Sequence, residues 1–267
     1  MSLNTRNRRG ADQYARIVDI TSESVERGIR ERAASIVGSR GEIPLALWTP
    51  EDAAPTGIVL VGHGASGDKR QDYVVGLARR LVRTSRVAVG SIDGPVHGER
   101  RTSTGVDPAL ILLEFAQAWS LDSTLTDGML ADWTTTLDEL QQLDGFGGIP
   151  VGYWGISMGT LLGLPFVASD KRIEACVLGL AGLTGPTAAR LADDAPKVAV
   201  PTLFLLQLGD ELFSTDSSLA LFDALGCPTK RLFAAPGRHR DVPADAFQLS
   251  IDFLATHLTA SREGMPR

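Results

Sequence analysis

Short, continuously apolar runs alternate with amphipathic stretches along most of this chain, and that alternation limits the folds open to it. The run at 57–62 (GIVLVG) leads into DYVVGLARRLVRT, where Val74, Leu77, Leu81 and Val82 recur at helical spacing, and then into the apolar 86–92 (RVAVGSI). A run without polar alternation predicts a strand covered on both faces, as in a parallel sheet between two helical layers. The pattern continues with an amphipathic helix at 125–143, a strand at 149–154, and a helix at 160–168 interrupted near Pro165. Strands follow at 173–180, 202–208 and 230–234, and helices at 217–225 and 244–258. Together they predict an α/β architecture, a doubly wound and mostly parallel sheet flanked by helices. Upstream, 32–39 and 43–50 around the turn Arg40-Gly41-Glu42 read as an antiparallel hairpin at the N-terminal edge.

A length of 267 residues with 43% hydrophobic side chains suits one domain. It is expected over 29–260, after a polar, partly frayed segment at 1–28 and before a tail at 261–267. The stretch 101–123 is longer than an ordinary loop and carries Leu110, Ile111, Leu112, Leu113, Phe115 and Trp119. It reads either as a helical excursion packing on the core or as a segment that also roofs a pocket.

A net charge of −6 and a pI near 5.3 argue against a nucleic-acid partner, and the basic cluster Arg6, Arg8 and Arg9 reads as part of a solvated tail. Two cysteines, Cys176 and Cys227, form neither a metal site nor a disulfide framework. No apolar signal-peptide region and no membrane-length apolar stretch of ~18 residues is found, so a soluble cytoplasmic protein is expected.

The stretch GYWGISMG (152–159) places Ser157 between Gly155 and Gly159, at the junction of a predicted strand and a predicted helix. G-x-S-x-G in that setting is a nucleophile elbow, a tight turn that exposes a serine hydroxyl at the start of a helix. Such a hydroxyl needs a base and oxyanion donors before it reacts. The sequence VGHGASGDK ends the first parallel strand, which makes the Ala65 and Met158 N–H groups the candidate oxyanion pair. Of four histidines, His239 lies on a loop after a late strand, where ligands of such sheets bind, and is the candidate base. His97 is its rival, and His257 reads as structural. Asp210, directly after the strand at 202–208, is the candidate acid that fixes the base's tautomer, with Glu211, Asp216 and Asp241 as alternatives. His63 reads as a loop histidine on nearby backbone groups or as a substrate contact. His97 reads as a tie between loops or as part of the substrate entrance.

With the order Ser157, Asp210, His239, the chain from about residue 43 to 258 resembles the α/β-hydrolase superfamily. HGASGDK followed by DGPVHGER is similar to its dienelactone-hydrolase-like and acyl-esterase branch. The resemblance implies a serine hydrolase, most simply a carboxylesterase that forms an acyl-enzyme and uses no metal or organic cofactor. A serine nucleophile departs from the cysteine of true dienelactone hydrolases. No long lipase lid is evident, and aromatic residues make up only 6%, which favours small or medium acyl groups on a small-molecule ester. Trp119, Trp133 and Phe115 are the candidate aromatic lining, with His63, His97 and Trp119 as substrate contacts. Thioesters, amides, peptides or carbon-carbon bonds as targets, a non-catalytic binding role and a homo-oligomeric state stay open.

Overall fold

The computed structural model describes residues 18–263, so the cluster Arg6, Arg8 and Arg9 lies outside the described residues. β1 (Val18–Glu26), β2 (Ile29–Gly38) and β3 (Gly41–Pro50) form an antiparallel meander. The alternation expected from the sequence follows it. β4 (Ile58–Gly62), α1 (Asp72–Ser85) and β5 (Ala88–Ile92) are succeeded by α2 (Pro108–Leu121) and α3 (Leu125–Gln141). Next come β6 (Val151–Gly155), α4 (Met158–Ser169), β7 (Ile173–Gly179) and α5 (Ala188–Asp194). β8 (Thr202–Gln207), α6 (Thr215–Ala224), β9 (Arg231–Ala235) and α7 (Ala244–Glu263) complete the described chain.

All strands join one nine-stranded sheet in the order β1-β2-β3-β5-β4-β6-β7-β8-β9. β4 through β9 pair in parallel, and β3 meets β5 antiparallel. Burial on both faces explains the apolar runs. Leu45, Leu47, Ile58, Leu60 and Tyr153 pack with α3 and α4 residues such as Met129, Trp133 and Leu161. Their neighbours Ala46, Trp48, Val59, Val61 and Trp154 pack with Leu77 and Leu81 of α1 and Ile251 and Leu254 of α7. Successive side chains of a strand point to opposite faces, so a strand buried on both sides has no polar position to offer.

The structure corrects several expectations. The polar opening contains β1, which pairs with β2 along its whole length while burying only Val18. It is an edge strand held by ladder hydrogen bonds, and charges on such an edge discourage pairing with other chains. Pro165 does not interrupt α4. Every residue from Met158 to Val167 is buried, and that packing outweighs the one hydrogen bond a proline removes. The excursion at 101–123 contains α2, capped by Asp107, whose side chain accepts from Ala109 N at 2.9 Å. α2 buries Ile111 and Phe115 and leaves Leu110, Leu112 and Leu113 exposed. α5 was not anticipated, and α7 runs through Glu263 into the expected tail.

Strand order reverses about β4, with β5 on one side and β6 on the other, and the loops at the carboxyl ends there bound a crevice. A buried ion pair ties those loops together. Asp93, fully buried after β5, accepts from Lys69 Nζ at 2.7 Å, Lys69 N at 3.1 Å and Glu99 N at 2.9 Å. Lys69 Nζ also reaches Glu99 Oε1 at 2.6 Å. Asp93→Ala leaves a buried ammonium without its main partner, an expected loss of about 3–5 kcal/mol. Urea denaturation of the two proteins measures it, and a loss below ~1 kcal/mol would show that Glu99 alone suffices to hold Lys69.

Candidate active site

Ser157 stands between β6 and α4 with φ 55° and ψ −123°, a conformation that a residue with a side chain adopts only when its surroundings impose it. Here they do. Ser157 N donates to Gly179 O at 2.9 Å, and Ser157 O accepts from Thr160 N at 2.8 Å and Leu161 N at 3.0 Å. The flanking glycines are a steric requirement. A Cβ at Gly159 would lie 2.3 Å from Gly62 O on β4, and one at Gly155 would lie 2.6 Å from Gly159 O. The G-x-S-x-G pattern thus follows from the close approach of α4 to β4 and β6.

His239, on the loop after β9, brings Nε2 to 2.9 Å from Ser157 Oγ and Nδ1 to 2.7 Å from Asp210 Oδ2. Asp210 Oδ1 accepts from Leu212 N at 2.8 Å and Phe213 N at 3.0 Å. Burial pushes the Asp210 carboxyl up, but the His239 ring and the two backbone N–H groups outweigh it and hold it below its usual range. Acceptance by an ionised carboxylate fixes the proton of His239 on Nδ1 and leaves Nε2 free to take one from Ser157. Glu211, a rival acid, accepts instead from His239 N at 2.9 Å, and Asp241 accepts from Arg238 N at 3.0 Å. Asp216 lies in the first turn of α6. The loop carrying His239 is therefore anchored by one acid at its ring and by another at its backbone. Phe213 packs beside the ring, with centroids 5.7 Å apart.

The loop after β4 lies against the serine. A Cβ on Gly64 would come within 4.0 Å of Ser157 Cβ and 3.5 Å of Tyr73 Oη. Neither Ala65 N nor Met158 N donates to a backbone acceptor outside its own element among the described residues. A cleft of about 570 Å³ begins at Ser66, the next residue, and is bounded by Gly67, Gln71, Arg101, Val106 and Ile111.

Other expected contacts fall elsewhere. His63, 1% exposed, donates from Nδ1 to Gly64 O at 2.8 Å and accepts at Nε2 from Gly94 N at 2.9 Å. His97, fully buried, sets Nε2 3.0 Å from Ala65 O and Nδ1 2.5 Å from Pro95 O. With both nitrogens on backbone groups, neither ring offers a face to a substrate, and His97 is not the base at Ser157. Trp133 belongs to the core beneath the sheet, and Phe115 is buried against Trp119 with centroids 5.8 Å apart. Trp119 is half-buried and closes on Gly185. Tyr73 was missed. Its Oη accepts from Gly64 N at 2.7 Å, yet an aromatic residue near the start of an amphipathic helix carries no signal that separates it from core.

A cold-adapted esterase from an Arctic intertidal metagenomic library, in a polyethylene-glycol-bound structure, is 35% identical to this chain, covering 89% of it and 97% of the esterase, with a TM-score of 0.80. The chain belongs to the α/β-hydrolase superfamily. Within that superfamily its neighbours are esterases and dienelactone hydrolases. Acetyl xylan esterase 1 from Thermoanaerobacterium sp. shares the fold at 14% identity, with 90% of this chain and 87% of that one covered and a TM-score of 0.68. Dienelactone hydrolase from Anabaena variabilis does so at 20% identity, with 88% and 99% covered and a TM-score of 0.64. No family model matches the chain, and no curated protein does.

Burial, helped by the neighbouring His97, lowers His63 from an ordinary 6.5 to about 3. Between those values an unfolded chain binds a proton at His63 that this folded α/β-hydrolase refuses, so stability falls as pH falls, by about 1.4 kcal/mol per pH unit. His63→Asn removes that contribution. Urea denaturation between pH 6 and 4 should therefore show a shallower acid loss in the variant than in the wild type, and parallel curves would mean that His63 is protonated in the fold.

Proposed function

We propose that this α/β-hydrolase is a serine carboxylesterase acting on small or medium acyl esters through Ser157, His239 and Asp210. The observation that carries the reading is the continuous hydrogen-bonded line from Asp210 Oδ2 through His239 to Ser157 Oγ, at 2.7 and 2.9 Å. These are working distances for proton transfer. His239 takes the Ser157 proton as Oγ attacks the ester carbonyl, and the Asp210 carboxylate stabilises the imidazolium that forms. The N–H groups of Ala65 and Met158 receive the developing oxyanion, each contributing on the order of 3 kcal/mol to the transition state. The N-terminal end of α4, which begins at Met158, adds its positive dipole at the same place. His239 then protonates the leaving alcohol, and in the second half it activates the water that frees the acid. Every proton moves between groups of the chain, the substrate and water, and the scheme uses no metal or organic cofactor.

Support for an ester comes from the 35% identical esterase, and support for modest size from the low aromatic content of the chain, 6%. Among the described residues no helix is long and apolar enough to cross a membrane. The proposed substrate is a small molecule.

Ser157→Ala should abolish turnover of a short-chain p-nitrophenyl ester in a protein that stays folded, and a fluorophosphonate probe should label wild type at Ser157 alone. Asp210→Asn should lower kcat by about three to four orders of magnitude by releasing the tautomer of His239. An unlabelled, inactive wild type would point to a ligand-binding role, and thioester or amide turnover exceeding that of every ester would move the substrate class while keeping the triad.

A further inference from the structure

The oxyanion loop is held by side chains that the proposed chemistry does not use. The dipeptide Gly64-Ala65 has four backbone polar groups, and three have side-chain partners. Gly64 N donates to Tyr73 Oη at 2.7 Å, Gly64 O accepts from His63 Nδ1 at 2.8 Å, and Ala65 O lies 3.0 Å from His97 Nε2, which donates to it in the tautomer that leaves Nδ1 unprotonated beside Pro95 O. Ala65 N–H is the fourth, and among the described residues it donates to no side chain and to no backbone acceptor. We infer that Tyr73 and His97 are positioning residues which, together with His63, lock the Gly64-Ala65 backbone so that Ala65 N–H faces the oxyanion before a substrate arrives. The inference rests on the serine-esterase reading and goes beyond it by assigning residues from α1 and from the loop after β5 to the oxyanion hole.

The arrangement has the features such a device needs. Gly64 lacks a Cβ, so its backbone is held by bonds more than by its own torsional preferences. Tyr73 is itself fixed, its ring packed against Trp154 and Phe247 with centroids 6.0 and 6.1 Å away. His97 is wedged between His63 and Phe115, with centroids at 5.0 and 5.6 Å. His63 in turn accepts from Gly94 N at 2.9 Å, which extends the support to the loop that carries His97. A hydrogen bond to Gly64 O also polarises the peptide unit that carries Ala65 N–H, making that N–H a better donor. Donors stabilise a transition state most when no reorientation is needed at the moment of reaction. A loop free to turn would lose that advantage while still admitting substrate, so the effect belongs in kcat.

Tyr73→Phe removes one oxygen atom and keeps the ring packing, which makes it the decisive variant. With active sites counted by fluorophosphonate labelling, its kcat on p-nitrophenyl acetate should fall about 10- to 100-fold, less than the ~10²–10³ for deleting an oxyanion donor outright. KM should change less than about 2-fold, and affinity for an alkylboronic acid, which mimics the tetrahedral adduct, should fall in parallel with kcat/KM. His97→Leu should act in the same direction, and His97→Gln, whose amide N–H can reach Ala65 O, should recover much of the loss. A purely structural role would lower Tm and the number of active sites but leave kcat per site and boronate affinity unchanged. That result in folded Tyr73→Phe overturns the inference, even if the His97 variants do not fold. Wild type without ester turnover overturns the functional reading and this inference together, whereas active wild type beside an unaltered Tyr73→Phe overturns the inference alone.

Discussion

The positive φ of Ser157 is the constraint on which the rest of the site depends. A residue held there costs of the order of 1–3 kcal/mol, so the fold must over-determine it. The hydrogen bond from Ser157 N to Gly179 O fixes the turn to β7, and the bonds from Thr160 N and Leu161 N fix it to α4. Thr160 adds to this through Oγ1, which accepts from Gly179 N at 2.8 Å and places its one hydroxyl proton between Gly155 O and Gly179 O, both at 2.8 Å. The turn is thus stapled to two neighbouring strands and to the first turn of the following helix. Its strain is sustained by the central sheet, and the hydroxyl projects where β9 and β4 can deliver their loops.

Those loops arrive from opposite directions in the sheet. β4 lies beside β6 and supplies Ala65, while β8 and β9, beyond β7, supply Asp210 and His239. The Ala65 side is tied inward by the Lys69–Asp93 pair and the two buried histidines. The His239 side is tied by Glu211 at the backbone of His239 and by Asp210 at its ring. Each side has its own internal bracing, and the two converge on the serine.

How much of this can be read from sequence depends on whether a residue's surroundings are local. The runs at β4, β6 and β8 are legible because burial on both faces forces continuous apolar sequence, and the elbow is legible because two glycines and a serine satisfy a steric demand within five residues. β1 is not legible, since its stability comes from pairing with β2 and its side chains are nearly all exposed. Pro165 misleads because propensity omits the packing that surrounds α4 on all sides. Asp210 and Glu211 are chemically alike and adjacent, and only the path of the loop decides which meets the ring and which the backbone. His63 and His97 each allow two readings from sequence, contact with backbone or contact with substrate, and the backbone reading is the one the structure matches. Both are buried, each with one main-chain partner within two residues, Gly64 O and Pro95 O, and one on another loop, Gly94 N and Ala65 O, that no residue pattern encodes.

The order of strands also limits how the chain can drift in length. β9 and β6 are separated by β7 and β8, three spacings or about 14 Å, so the segment after Ala235 must double back over two strand ends to set His239 against Ser157. One added residue there introduces up to ~3.5 Å of backbone, more than a hydrogen bond tolerates. The connection between β1 and β2, at the far edge of the sheet, carries no such obligation. Insertions and deletions among descendants of this chain should therefore gather at that outer meander and be purged between Ala235 and His239.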